Sequence, residues 1–350
     1  MHRARRWALA SLYIGLVAAV DVASGDAAAG QTAWPGNEDL RHLRLFENPQ
    51  VSPDGSAVLL QVREPTADGA RRHLWLLDPA GGAPRQLTNS PDKDKDGESS
   101  ARWMPDGRSI LFIAHRGEQA DVFQLSMLGG EAQKLAIEVP ITVDDSRAPD
   151  ALPPIDAASA GAADTHKPVT TLPVEVKSYD VDASGKWLWV IAADPQTPGE
   201  KAQAEAKADA NWVDHETHGT HLYLWNLSTH KAVVVPLHDD VAEAAWSPDG
   251  TRLVVVTQAL HHGSDLEPSR HAWMVSIAHP ETPEALGECP REIATPRWDA
   301  SGRELYFASQ STRDAPPGYP DLFVDELATH RVVNLTDGLD GTPVDNIVPL

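Results

Sequence analysis

Three groupings of side chains have types and spacing that bear on chemistry. Asp92-Lys-Asp-Lys-Asp-Gly97 sets carboxylates at alternate positions ahead of a glycine. That is how a calcium loop opens, because hard oxygen ligands surround the ion while glycine makes the sharp turn. Such a loop closes on a glutamate, but the residue at that place is Trp103, so Asp92, Asp94 and Asp96 read as a solvated charged loop. His215, His218 and His221 recur at every third position beside Asp214 and Glu216, and imidazole is a good zinc ligand. A strand alternates its side chains, so this spacing does not aim all three to one side. They read as polar loop residues entering a strand, and His261-His262 reads as a loop pair. A serine nucleophile on a strained strand-to-helix turn needs Gly-x-Ser-x-Gly, and the sequence does not contain it. Its one cysteine, Cys289, can form neither an internal disulfide nor a cysteine-based zinc site. The residues therefore assign no catalytic group, no metal ligand set, no cofactor and no defined substrate contact.

The elements that would position any site are easier to read. The chain has 350 residues, enough for one large domain or two ordinary ones. Hydrophobic residues make up 41% and charged residues 23%, a globular rather than a disordered composition. A formal charge of −22 argues against nucleic acid and against an anionic membrane surface as partners, since both call for clustered Lys and Arg. Residues 1–29 carry the layout of a secretory signal peptide: basic Met1-His-Arg-Ala-Arg-Arg6, an apolar stretch from Trp7 to Val20, and small residues at Ala27-Ala-Ala29. The apolar stretch is shorter than the ~20 residues that a membrane-spanning helix needs. The expectation is a cleaved, acidic protein in the periplasm or outside the cell, no longer held at a membrane. A lone cysteine suits that oxidising compartment.

One motif recurs along residues 37–350. Pro49-Gln-Val-Ser-Pro-Asp-Gly55, Arg102-Trp-Met-Pro-Asp-Gly107, Tyr179-Asp-Val-Asp-Ala-Ser-Gly185, Trp246-Ser-Pro-Asp-Gly250 and Arg297-Trp-Asp-Ala-Ser-Gly302 are each followed by an apolar run. The physics of every copy is the same. A strand ends, a tight turn uses a glycine able to take positive φ, and a buried strand rich in branched residues begins. A second pattern follows most copies, as in His73-Leu-Trp-Leu-Leu-Asp78 with Arg85-Gln-Leu-Thr88, or Asp321-Leu-Phe-Val-Asp325 with Val332-Val-Asn-Leu-Thr336. The copy around His271-Ala-Trp-Met-Val275 is weaker. These supply a third and a fourth strand. Repeated units of four antiparallel strands predict an all-β fold, a WD40-like β-propeller with five recognisable blades in a closed or incomplete ring. Trp103, Trp246 and Trp298 hold equivalent repeat positions and are expected between neighbouring blades. Trp187, Trp189, Trp225 and Trp273 are expected in the core, and Trp212 is expected to be exposed. Residues 139–173 are read as a long loop or decayed blade. Residues 193–220 are read as a second insertion, with a short exposed helix around Glu200 to Ala210. After Gly338 the composition resembles the lead-in to a further inner strand.

The Ser-Pro-Asp-Gly units resemble those of Tol-type propellers and of the propellers in prolyl oligopeptidase family serine peptidases. Asp39-Leu-Arg-His-Leu43 ahead of the first unit, Arg85-Gln-Leu-Thr88, and Trp212-Val-Asp214 through Gly219-Thr-His-Leu222 resemble the acylaminoacyl-peptidase and dipeptidyl-aminopeptidase branch of that family. The resemblance implies a propeller that filters peptides for a hydrolase domain, where a serine nucleophile with a histidine base performs acyl transfer. Without the nucleophile motif, that family's Ser, Asp and His have no positions here. The chain is expected to be non-catalytic alone, with a peptide or a catalytic hydrolase domain as partner. The alternative is a free-standing periplasmic propeller that binds a protein.

Overall fold

The computed structural model describes residues 42–66, 69–89, 97–117, 119–142, 169–193, 219–259, 270–286, 294–309 and 320–338. Among them every regular element is a strand. The first sheet contains β1 (Leu45–Val51), β2 (Val58–Thr66), β3 (Gly69–Leu77) and β4 (Arg85–Gln86). The second contains β5 (Glu98–Trp103), β6 (Ser109–Ala114), β7 (Asp121–Ser126) and β8 (Gln133–Lys134). A separate ribbon pairs β9 (Glu138–Thr142) with β10 (Val169–Pro173). The third sheet contains β11 (Glu175–Val181), β12 (Trp187–Ala193), β13 (Thr220–Asn226) and β14 (Lys231–Val234). The fourth contains β15 (Asp240–Trp246), β16 (Arg252–Gln258), β17 (Arg270–Ser276) and β18 (Glu284–Ala285). The fifth contains β19 (Ala294–Trp298), β20 (Glu304–Ser309), β21 (Asp321–Glu326) and β22 (Arg331–Asn334). In all five four-stranded sheets the strands lie in sequence order and pair antiparallel.

The strand chemistry explains this layering. The second strand of each sheet lies in its middle, and in the second, third and fourth sheets it has a neighbouring sheet on either side. It therefore reads as a continuous apolar run rather than an alternation. β6, Ser109-Ile-Leu-Phe-Ile-Ala114, is buried at every position, and Leu253 to Val256 on β16 are likewise buried. Four hydrophobic clusters fill the seams between successive sheets. Leu59, Leu74, Ile110 and Phe112 join the first to the second. Leu111, Val122, Val176 and Leu188 join the second to the third. Ile191, Leu224, Leu253 and Val255 join the third to the fourth. Val254, Val256, Leu305 and Phe307 join the fourth to the fifth. Four-stranded sheets packed face to face in chain order, with their first strands touching (β1 with β5, β5 with β11, β15 with β19), are the blades of a β-propeller. No cluster among the described residues joins the fifth sheet to the first. Phe46 and Val51 on β1 are 52% and 64% exposed.

The stretch 139–173 was expected as a long loop or decayed blade, and its two ends carry regular structure. It begins and ends in the paired strands β9 and β10, in register from Val169 opposite Thr142 to Pro173 opposite Glu138. Pro140 and Pro173 hid the signal, because proline lowers strand expectation, yet an edge ribbon of two strands accommodates it. Residues 143–168 and the expected helix near Glu200 to Ala210 lie outside the described residues, as do residues 1–41 and 339–350.

The turns between first and second strands close with reciprocal chemistry. In the first sheet the Ser52 hydroxyl donates to Asp54 Oδ1 at 2.7 Å and accepts from the Ala57 amide at 2.9 Å. Ser247 and Asp249 repeat this in the fourth sheet. In the third and fifth sheets the two residue types trade places. Asp182 accepts from the Lys186 and Trp187 amides at 2.7 and 2.8 Å and from the Ser184 hydroxyl, and Asp299 does the same with Arg303, Glu304 and Ser301. Ser-x-Asp-Gly and Asp-x-Ser-Gly are therefore one turn written two ways. Gly250, at φ +67, leaves room for the previous turn: a Cβ there would lie 3.4 Å from Asp182 Oδ2.

Candidate functional site

The first strands carry the residues with chemical potential. The tryptophans that end β5, β15 and β19 turn their side chains back toward the preceding sheet. The Trp103 indole N–H donates to Gln50 O at 3.3 Å, Trp246 to Asp180 O at 3.3 Å, and Trp298 to Ala245 O at 3.1 Å. These three were expected between blades, and they seal three of the four seams in the same way. Trp189 and Trp225 are buried as expected, while Trp187 and Trp273 are partly buried. The Trp273 indole donates to Thr257 Oγ1 at 2.9 Å.

The seam between the second and third sheets lacks the tryptophan, and Val181 stands in its place. Two other contacts replace the missing indole. The Tyr179 hydroxyl donates to Ser100 O at 2.9 Å, and burial pushes its phenol well above the ordinary 10.0, so it remains a donor. Arg102 Nε donates to Asp180 Oδ1 at 3.2 Å, and Arg102 also donates to Ala101 O at 2.9 Å.

Arg102 and Asp180 belong to a row. The residue just before the tryptophan position is Gln50, Arg102, Asp180, Ala245 and Arg297 in successive sheets. Alternation along the strand turns this residue away from the tryptophan side, toward the following sheet. Gln50 donates to Ala101 O of the next sheet at 2.6 Å, and Arg102 reaches Asp180 of the next. The Arg102 and Asp180 side chains are 37% and 33% exposed, and Arg297 is exposed. Burial raises the Asp180 carboxyl, while Arg102, the Val181 amide and Arg297 act to lower it. Between Asp180 and Arg297 the row brings only the methyl of Ala245. Among the described residues the guanidinium of Arg297 donates to Pro296 O at 3.0 Å. No turn or burial pattern marks this row in the sequence; its one signal is the polar residue that stands before the tryptophan position in four of the five copies.

A second polar group lies inside the first seam. Glu98 is fully buried and accepts from Thr88 Oγ1 at 2.9 Å and from Arg116 at 3.2 Å; its Oε2 also lies 3.2 Å from His73 Nδ1. The Arg116 guanidinium stacks 4.8 Å from the centre of the Phe123 ring. The Thr88 hydroxyl also accepts from the Leu74 amide at 2.9 Å. This explains the Arg85-Gln-Leu-Thr88 ending: its threonine ties the outer strand to β3 and to the next sheet. In the fifth sheet Thr336 binds Asp321 and the Leu322 amide in the same way. The buried group is a structural clamp whose charges neutralise one another.

The sequence candidates fall differently. Asp92, Asp94, Asp96, His215, His218, His261, His262, Trp212 and Cys289 lie outside the described residues. His221 is partly buried at the start of β13, edge-on to the Tyr223 ring at 6.5 Å. Among the described residues no three His, Cys, Asp or Glu side chains are grouped to hold a metal ion.

No protein-family model matches the chain. A curated relative, the uncharacterized peptidase YuxL of Bacillus subtilis (strain 168), is 27% identical over 228 residues, which is 62% of this chain and 30% of that protein. The match thus spans less than a third of the relative's length. The acylaminoacyl peptidase of Pyrococcus horikoshii superposes with a TM-score of 0.54 at 10% identity, over 86% of this chain and 40% of that one. The β-propeller domain of the trilobed protease from Pyrococcus furiosus, described as having an open velcro topology, gives 0.53 at 10% identity over 85% and 73%. Likeness at such identity speaks for the fold, and the chain carries the β-propeller fold that these two proteases share.

Proposed function

We propose that this chain is the substrate-admitting propeller of an exported serine peptidase, non-catalytic by itself and serving a hydrolase domain that supplies the nucleophile. The observation that carries the reading is the pairing of the propeller fold with a peptidase relative that is similar over 62% of the chain. A propeller suits this task physically. Its rigid blades restrict entry to chains thin enough to enter a narrow opening, so extended peptides pass and folded proteins do not. The basic, apolar and small-residue layout of residues 1–29 supports export.

The test is capture of the native polypeptide from its source cells with an antibody against residues 43–338, followed by a fluorophosphonate serine-hydrolase probe. Labelling of the captured chain, or of a hydrolase that co-purifies with it, is the expected result. A captured chain with no labelled species would overturn the reading in favour of a free-standing propeller that binds a protein partner. N-terminal sequencing of the same sample is expected to begin close after Ala29.

A further inference from the structure

We propose that the fifth sheet, on its face away from the fourth, docks onto the first sheet of a second copy of this chain, on the face away from its second sheet. Leu335 of one copy then meets Phe46 of the other, and the stacking of blades continues from molecule to molecule. The inference goes beyond the peptidase reading and stands or falls without it.

The seams inside the molecule join the same two columns of residues. One column stands at the end of each fourth strand, on the side of the following sheet. Its members Leu87, Leu135, Val235, Leu286 and Leu335 each donate their amide to the third strand of their own sheet at 2.7–2.9 Å. The first four lie in the seam clusters or pack against them. Leu335 is 47% exposed. The other column stands early in the first strand, on the side of the preceding sheet. Phe46, Glu98, Val176 and Val241 hold it, opposite Val62, Ala114, Ala192 and Thr257 of their second strands. Glu98, Val176 and Val241 are buried, while Phe46 is half exposed. The two columns meet within the molecule. Val176 shares a cluster with Leu135 packed against it, Val241 shares one with Val235, and Glu98 accepts from Thr88, the neighbour of Leu87. Among the described clusters, none gives Leu335 a following sheet or Phe46 a preceding one.

The surroundings of the two residues agree. Tyr306 and Leu322 of the fifth sheet are half-buried, where the equivalent Val254 and Ala272 of the fourth are buried. Val51 stands at the tryptophan position and is exposed, where Trp298 is buried. Both faces are apolar, so each calls for an apolar partner. The internal seams show that one kind of face fits the other, and a second copy brings both. Units of a repeat protein bind their neighbours through such faces alone. The contact is heterologous, so copies close into a ring or run on as a chain.

Sedimentation equilibrium of the full chain tests this. The weight-average mass is expected to rise with protein concentration, and more steeply as salt screens the repulsion between molecules of charge −22. Phe46→Asp and Leu335→Asp each place a charge in the contact and should weaken association about tenfold or more. Circular dichroism and the thermal midpoint should stay at wild-type values, because both side chains are largely exposed. Val51→Asp, on the same face as Phe46, should act as Phe46→Asp does. The mixture of variants separates this contact from others. Phe46→Asp keeps an intact fifth sheet and Leu335→Asp an intact first sheet, so the two together should form a dimer that grows no further. A wild type that stays monomeric throughout overturns the proposal. So does a Leu335→Asp variant that associates as the wild type does, since first sheets would then pair with each other. A mixture that associates no better than its components overturns it as well.

Discussion

Three seams of this propeller are sealed by one device and the fourth by another. Between the first and second, third and fourth, and fourth and fifth sheets, an indole N–H crosses to a backbone carbonyl. Between the second and third, Val181 has no N–H to give, and Tyr179 with the Arg102–Asp180 pair takes over. A repeated hydrophobic contact specifies only that two blades meet. Its replacement at one seam puts a phenol and the Arg102–Asp180 pair where the other three seams carry an indole. In a repeat protein, identical solutions indicate packing, and the copy that breaks the pattern is where specific chemistry is affordable.

That contrast can be broken from either side. Two substitutions should have the largest effects, about 3–5 kcal/mol each by denaturant unfolding. Trp298→Ala empties a buried indole site, and Glu98→Ala leaves Arg116 without its buried partner in the first seam. If Trp298→Ala costs no more than Val181→Ala, the indole is not the seal. Next comes Tyr179→Phe, which leaves Ser100 O without its donor in a buried seam and should cost about 1–3 kcal/mol. A neutral result would leave the Arg102–Asp180 pair as the sole replacement for the tryptophan.

The turns offer a finer version of the same test. Asp249→Ser alone removes the acceptor for Ser247 and Thr251 and should cost about 1 kcal/mol. Exchanging both residues, Ser247→Asp with Asp249→Ser, writes the third-sheet turn into the fourth sheet and should recover most of that loss. The smallest effect is in acid. Hydrogen bonds from Ser52 and Ser247 lead the influences that hold Asp54 and Asp249 down to about 2, against an ordinary 3.8. Around Asp299, where burial opposes them, the Ser301 and backbone bonds still reach about 2. These groups bind fewer protons folded than unfolded, so the stability they add is complete above pH 3.8 and is lost as pH falls toward about 2. The acid unfolding profile of Asp249→Asn should be flatter than that of the wild type across this window. Asp54 and Asp249 are exposed and Asp299 is half-buried, so the difference is modest.

Much of the fold was legible because it repeats. Five turn glycines and the apolar runs behind them mark five hairpins, and short-range chemistry alone dictates a hairpin. The ribbon of β9 and β10 was not legible. Pro140 and Pro173 argue against strands locally, and pairing across a separation of some thirty residues is decided by the partner rather than by the segment. The candidate site was legible only in part. Arg102 and Asp180 are plain in the sequence, 78 residues apart, but nothing local says that they meet.

The sequence by itself determined the blades: alternation, turn residues and the Ser/Asp exchange are properties of neighbours along the chain, and so is the exclusion of a nucleophile elbow. Only the tertiary structure decided the seams. It set which carbonyl each tryptophan meets, which charge answers Arg102, and that Glu98 is buried with Thr88 and Arg116. Those contacts join residues far apart in sequence, and their energies depend on distance and on exclusion from water, which exist only once the sheets have packed.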